Sequence, residues 1–212
     1  MTSANAESKL RRRLVRHAKS LFERNYSCGA SGNLSVRCER GMLITPTNSS
    51  LGMLDAERLS LIDFEGTTVE GSKPSKEWPL HRAFYKSRPD CAAVVHLHSP
   101  NAVALSCLQG LNHENVLPAL TPYYVMRIGR LPLVPYAKPG SSPLAEAVAR
   151  QSANAPALLL ANHGPIVSGL SLDAAVCAAE ELEETARIWF LLRNHAFATL
   201  APSQIAELDN AR

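Results

Sequence analysis

The strongest constraint on the fold is a set of apolar runs too short for helices, each stopped abruptly by polar or Gly/Pro chemistry. Cys91 to Leu97 runs straight into His98-Ser99-Pro100. Leu131-Pro132-Leu133-Val134 and Ala157-Leu158-Leu159-Leu160 end in the same way. Runs of this length bounded by turn signals read as buried strands. Between them lie helical patterns. Residues 7–24 place Leu10, Leu14, Val15, Ala18, Leu21 and Phe22 on one face, the spacing of an amphipathic helix. A helix opens at Pro79, another spans Ser141 to Ser152, and a long one runs from Ser171-Leu172-Asp173 to about His195, with Glu180, Glu181, Glu183 and Glu184 partly on its solvent face. Leu34 to Arg37 alternates as a strand, Met42-Leu43-Ile44 reads as its hairpin partner, and Leu59 to Asp63 as a further short strand. Helices separating short strands without a linker predict one α/β domain over residues 1–212, with a core of about 7–195 and a tail at 196–212.

Composition narrows the class of partner. Lys and Arg number 22 against 19 Asp and Glu, a net charge of +3. That is too little for a nucleic-acid binder, which carries a concentrated basic stripe; the run Arg11-Arg12-Arg13 lies in a helical pattern as a solvated face. No apolar stretch approaches the roughly 20 residues that span a bilayer. Five cysteines, an odd number without a C-x-x-C pair, read as reduced thiols of a cytoplasmic protein. A small or locally anionic partner stays open, with neither nucleic acid nor membrane expected.

His96 and His98 sit at i and i+2 at the end of a strand pattern, so both imidazoles leave one face. Such a pair alone is more often solvated or packed in a core. Asn162-His163-Gly164 follows the strand at 157–160 in the same way, and Ser75-Lys76-Glu77 sets a carboxylate at a helix entrance, where an ordinary helix cap would also account for it. H-E-x-x-H is absent, and Pro100 occupies the position where the metallo-β-lactamase pattern needs Asp. Three imidazoles with one labile position suit zinc or a similar ion that polarises a substrate oxygen, and a nearby Glu can move a proton. Three polar loops offer anion ligands: Gly32-Asn33, Thr47-Asn48 and Ser75-Lys76. Each alone is ordinary turn chemistry, and spacing does not show that they meet.

In order and spacing, Gly32-Asn33-Leu34-Ser35-Val36-Arg37, Ile44-Thr45-Pro46-Thr47, Pro74-Ser75-Lys76-Glu77-Trp78 with His81, Val95-His96-Leu97-His98 and Asn162-His163-Gly164 resemble the class II aldolase/adducin family. The resemblance spans roughly residues 10–195 and implies a central, mainly antiparallel sheet flanked by helices, in a homotetramer with sites at subunit interfaces. It implies Zn2+, or Mn2+ or Co2+, held by His96, His98 and His163, with Glu77 as a further ligand or acid/base group. It also implies a phosphate held by Asn33, Thr47, Asn48, Ser75 and Lys76; the family's aldolases commonly have Gly at Asn48 and Ser at Lys76. An acid tyrosine from a neighbouring subunit would correspond to Tyr123 or Tyr124, with Tyr124 the chosen catalytic candidate.

Within the family, residues 118–127 and 135–140 look most like the 3-oxo-tetronate 4-phosphate decarboxylases. This implies conversion of a phosphorylated four-carbon 3-oxo acid to dihydroxyacetone phosphate and carbon dioxide through an enediolate, with Arg127 pairing a substrate anion or serving a structural ion pair. A sugar-phosphate aldolase, epimerase or dehydratase would use the same site. A non-catalytic, adducin-like binding module is the remaining alternative.

Overall fold

A two-residue turn at Glu39-Arg40 folds β1 (Asn33–Cys38) back on β2 (Gly41–Ile44), pairing Cys38 with Gly41. The hairpin seeds an eight-stranded sheet that also contains β3 (Ser60–Ile62), β4 (Thr68–Glu70), β5 (Ala93–His96), β6 (Leu133–Val134), β7 (Ala157–Leu160) and β8 (Gly164–Gly169). The order across the sheet is β4-β3-β2-β1-β5-β8-β7-β6, and among the described residues only the β6–β7 edge pair is parallel. The structure is a computed structural model and describes residues 3–209.

Strand alternation divides the core between two faces. Leu34, Val36, Leu43, Leu61, Val95, Leu159 and Val167 point to one side, where they meet Leu14, Ala18 and Leu21 of α1 (Ser3–Glu23) and Ala175, Ala179 and Leu182 of α6 (Leu172–Leu192). Met42, Ile44, Ile62, Val94, Leu158 and Ile166 point to the other, against Leu80 and Phe84 of α2 (Trp78–Ser87) and Leu144 and Val148 of α5 (Ser142–Ser152). Each fully buried aliphatic side chain contributes about 1.5–3 kcal/mol. Side chains leave both faces of the sheet into helices, so the architecture is helix–sheet–helix.

Three short α-helices, α3 (Pro100–Ser106), α4 (Pro122–Arg127) and α7 (Pro202–Asp209), and two single-turn 3-10 helices at Leu51–Met53 and Ala56–Arg58 complete the described residues. The segment expected as a tail therefore contains α7, which packs on α4, while the Leu200 N–H donates to the Ala119 carbonyl. β8 is a full member of the sheet although Gly164-Pro165 and Gly169 give it the composition of a loop. Glu183 departs from the expected solvent face. It is buried, and its carboxylate accepts from the Asn101 and Ala102 backbone N–H groups and from the Asn101 amide at 2.8 Å each, closing the first turn of α3. All five cysteines are free thiols. Among the described residues, no helix is long and apolar enough to cross a membrane.

Candidate metal centre and anion cavity

The functional side chains gather where β1, β5 and β8 meet the start of α2. β5 carries His96 on the α2 face. The extended chain beyond it, tied by the Leu97 N–H to the Pro165 carbonyl, brings His98 alongside. His163 sits in the tight turn between β7 and β8. There Gly164 has φ +148°, and a Cβ on it would lie 2.4 Å from the Leu97 carbonyl oxygen. Only glycine lets this turn press against the His96–His98 segment. Ser106 Oγ accepts from the His163 backbone N–H at 3.2 Å and fixes the turn from below.

Glu77 is the N-cap residue of α2, yet its side chain makes no capping bond. It turns instead to the histidines. His96 Nε2 stands 3.2 Å from His163 Nε2 and 3.3 Å from His98 Nε2. Glu77 Oε1 lies 3.3 Å from His163 Nε2, and Oε2 lies 3.5 Å from His96 Nε2. Ligands of a tetrahedral ion at about 2.0–2.1 Å stand roughly 3.3–3.4 Å from one another, so this spacing fits a single metal ion. Two further observations agree. Glu77 Oε1 is a buried carboxylate oxygen with no hydrogen-bond donor. His96 Nδ1 lies 2.8 Å from the Pro165 carbonyl, which can only accept, so Nδ1 carries the proton and Nε2 offers its lone pair.

The electrostatics suit ligation. Burial, helped by His96 and His163, pushes the His98 imidazole down to about 3, and burial also lowers His96. Burial opposes ionisation of Glu77, but His96, His163 and the Asn33 amide together hold its carboxyl well below the usual range. The site therefore presents the neutral imidazoles of His96 and His98 and an ionised carboxylate, the forms a divalent ion binds.

A cavity of about 420 Å³ opens beside this cluster, bordered by Glu77, His98 and His163. All five candidate anion ligands, Asn33, Thr47, Asn48, Ser75 and Lys76, border the same cavity. Two loops meet to form that wall: the Thr47 N–H donates to the Lys73 carbonyl and the Ser75 N–H to the Thr45 carbonyl. Asn33 differs from the other four. It is buried, its Nδ2 donates to Glu77 Oε2 at 2.9 Å, and its Oδ1 lies 2.6 Å from His81 Nε2. Its amide is chiefly a holder of Glu77, with one N–H left for an anion.

Tyr124 does not join the site in this chain. Its ring is fully buried in the core, its hydroxyl has no hydrogen-bond partner, and burial raises its pKa. Its neighbour Tyr123 is 59% exposed. Arg127 is exposed and borders a separate cavity with Arg88 and Cys91, at the opposite end of β5 and β8 from His96 and Gly164. His81, Ser35 and Tyr85, residues whose role the sequence does not reveal, form a buried polar line behind Glu77. Its signal was present. Glu77, His81 and Tyr85 recur every fourth residue on one helix face, and Asn33 and Ser35 alternate on a strand.

Comparison with known proteins places these features in a lineage. The family model for the Class II Aldolase and Adducin N-terminal domain matches residues 12–190. A 3-oxo-tetronate 4-phosphate decarboxylase of Escherichia coli (strain K12) is 49% identical over 206 residues, covering 97% of each chain. The crystal structure of YgbL from Escherichia coli superposes with a TM-score of 0.93 at 48% identity, over 96% of this chain and 99% of that one. More distant is an L-fuculose phosphate aldolase of Escherichia coli (strain K12), 36% identical over 86% of this chain and 83% of its own. The chain belongs to the class II aldolase and adducin family.

Proposed function

We propose that this chain is a divalent-metal-dependent carboxy-lyase that converts 3-oxo-tetronate 4-phosphate to dihydroxyacetone phosphate and carbon dioxide. The observation that carries this reading is the convergence of three imidazoles and the Glu77 carboxylate at one wall of a cavity whose other wall offers hydroxyl, amide and ammonium groups. The near full-length likeness to a decarboxylase of this name supports the choice of substrate.

The C1–C2 bond of the substrate breaks and carbon dioxide leaves. The electron pair it leaves behind spreads onto the 3-oxo group as an enediolate, and C2 then gains one proton drawn from solvent. His96, His98 and His163, with Glu77 beside them, would hold a divalent ion, which when bound would supply Lewis acidity to a substrate oxygen; zinc is our assignment, with manganese or cobalt as substitutes. The rest falls to the chain. Thr47, Asn48, Ser75 and Lys76 hold the phosphate, with Lys76 supplying the fixed positive charge and Asn33 its spare N–H. Glu77 borders the cavity and moves the proton to C2. Burial of His96 and His163 keeps water from solvating the cluster and strengthens each of these interactions.

We also infer a cytoplasmic homotetramer in which a neighbour completes each site. Tyr123 and Arg127 support this: both are exposed, and Arg127 lies at the end of β5 and β8 opposite the histidine cluster of its own chain. The test is a product assay with metal-loaded enzyme on both enantiomers of 3-oxo-tetronate 4-phosphate. Stoichiometric carbon dioxide and dihydroxyacetone phosphate are expected. Retro-aldol cleavage of a ketose 1-phosphate without carbon dioxide release would replace the decarboxylase with an aldolase. Purified protein without a bound divalent ion and without either activity would favour a binding module.

A further inference from the structure

Behind Glu77 an unbroken line of buried polar groups runs through Asn33 to three side chains that the reaction as described does not use. Asn33 Nδ2 meets Glu77 Oε2 at 2.9 Å, His81 Nε2 meets Asn33 Oδ1 at 2.6 Å, Ser35 Oγ meets His81 Nδ1 at 2.7 Å, and Tyr85 Oη meets Ser35 Oγ at 2.7 Å. Asn33, Ser35, His81 and Tyr85 are all buried. The line is a zip between two elements: alternate residues of β1 face every fourth residue of α2. It starts at the metal cluster because the sheet register sets Asn33 directly opposite His96.

The sense of every bond in the line follows from one fact, that an ionised carboxylate cannot donate. Asn33 must therefore present its Nδ2 to Glu77, which leaves Oδ1 as the acceptor on the other side. Only a donor suits Oδ1, so His81 carries its proton on Nε2. A neutral imidazole protonated there accepts at Nδ1, so the Ser35 hydroxyl donates to it. Ser35 in turn accepts from the Tyr85 hydroxyl. Flipping the Asn33 amide would set Oδ1 against the carboxylate and NH2 against the His81 N–H, two repulsive contacts in a low-dielectric interior.

We propose that His81 is a positioning residue for the reaction, locking the Asn33 amide so that it pins Glu77 Oε2 and leaves Oε1 to the metal and the proton. The inference rests on the reading that Glu77 moves the proton of an enediolate. His81 touches neither substrate nor metal in this arrangement. Its contribution is orientation of the carboxylate, of the kind that outer partners give to metal ligands.

Solvent-deuterium exchange at the hydroxymethyl carbon of dihydroxyacetone phosphate isolates the proton step from carbon–carbon cleavage. His81→Ala is expected to slow exchange about 10- to 100-fold, with unchanged metal content and unchanged affinity for dihydroxyacetone phosphate. His81→Gln, whose amide can donate from near the Nε2 position, should recover most of the rate. Wild-type exchange in His81→Ala, or equal loss in both variants, overturns the proposal. Should His81→Ala fail to fold, Ser35→Ala decides. It removes the donor to Nδ1 and should slow exchange several-fold at unchanged affinity, and an unchanged rate overturns the proposal. Wild-type enzyme that exchanges deuterium but releases no carbon dioxide from 3-oxo-tetronate 4-phosphate refutes the decarboxylase assignment and leaves the positioning role of His81 standing. Wild-type enzyme that exchanges nothing refutes both.

Discussion

The hydroxyl of Tyr124 is buried with no partner, while the side chain one residue earlier stands in solvent. A buried hydroxyl without a hydrogen bond is a cost to the fold, and removing it is neutral or stabilising. Tyr124→Phe is therefore expected to leave kcat unchanged and to raise thermal stability or leave it within about 1 kcal/mol of wild type. Thermal unfolding together with steady-state turnover checks this, and a large fall in kcat would return Tyr124 to the reaction. The pair also shows what sequence can carry at this scale. His96, His98, His163 and Glu77 were legible because strand ends and a helix start fix their direction within a few residues. The choice between two adjacent tyrosines depends on which face of the six-residue α4 meets α6, a tertiary fact. The role of Asn33 was hidden for the same reason. Its amide looks free in the sequence and is taken up by Glu77 and His81 once β1 lies under α2.

Among the elements, the long helices read cleanly from their periodicity, whereas β8 did not. Gly164 and Pro165 are loop residues by composition, yet the sheet uses both: glycine for the tight turn, and the proline carbonyl as acceptor for His96. Glu183 was read with the other glutamates of α6 because a carboxylate on a helix is usually solvated. Its partners lie on α3, some 80 positions away in sequence. The first turn of α6 offers a sharper test. Asp173 accepts from Arg13 at 2.7 Å and lies 2.6 Å from His17, stapling α6 to α1. The His17 hydrogen bond, with Arg13 adding to it, lowers the Asp173 pKa. A carboxyl lowered on folding stabilises the protein above its unfolded pKa of about 3.9, and the gain is lost as pH falls through the folded value. The side chain is more than half exposed, so the gain is small, on the order of 0.5 kcal/mol. Asp173→Asn should lower the unfolding midpoint slightly at pH 7. The difference should shrink as pH falls below the unfolded value and vanish once the folded carboxyl is itself protonated. A difference that persists there would show that the carboxylate charge is not the cause.

At the scale of the whole molecule, the two ends of the sheet carry different chemistry. One end holds the imidazoles, Glu77 and Lys76; the other presents Arg127 and Leu170, the last 68% exposed, while Tyr123 stands exposed on α4. A contact between unlike ends is heterologous, and such contacts close into rings when the rotation permits. In a ring, Glu77 of one chain would share a site with Tyr123 of the next. Hybrid assemblies test this directly. Glu77→Gln alone should lose at least about 100-fold in turnover while still binding substrate, and Tyr123→Ala alone should also be impaired. When the two are mixed in equal amounts, unfolded and reassembled together, about a quarter of the sites in a random hybrid draw both wild-type groups from different chains. Activity should then rise well above that of either parent, toward about a quarter of wild type. In a protein whose sites are each completed by a single chain, the mixture would give only the mean of the two parents. That result would confine the reaction to the residues surrounding the Glu77 and histidine cluster within one chain.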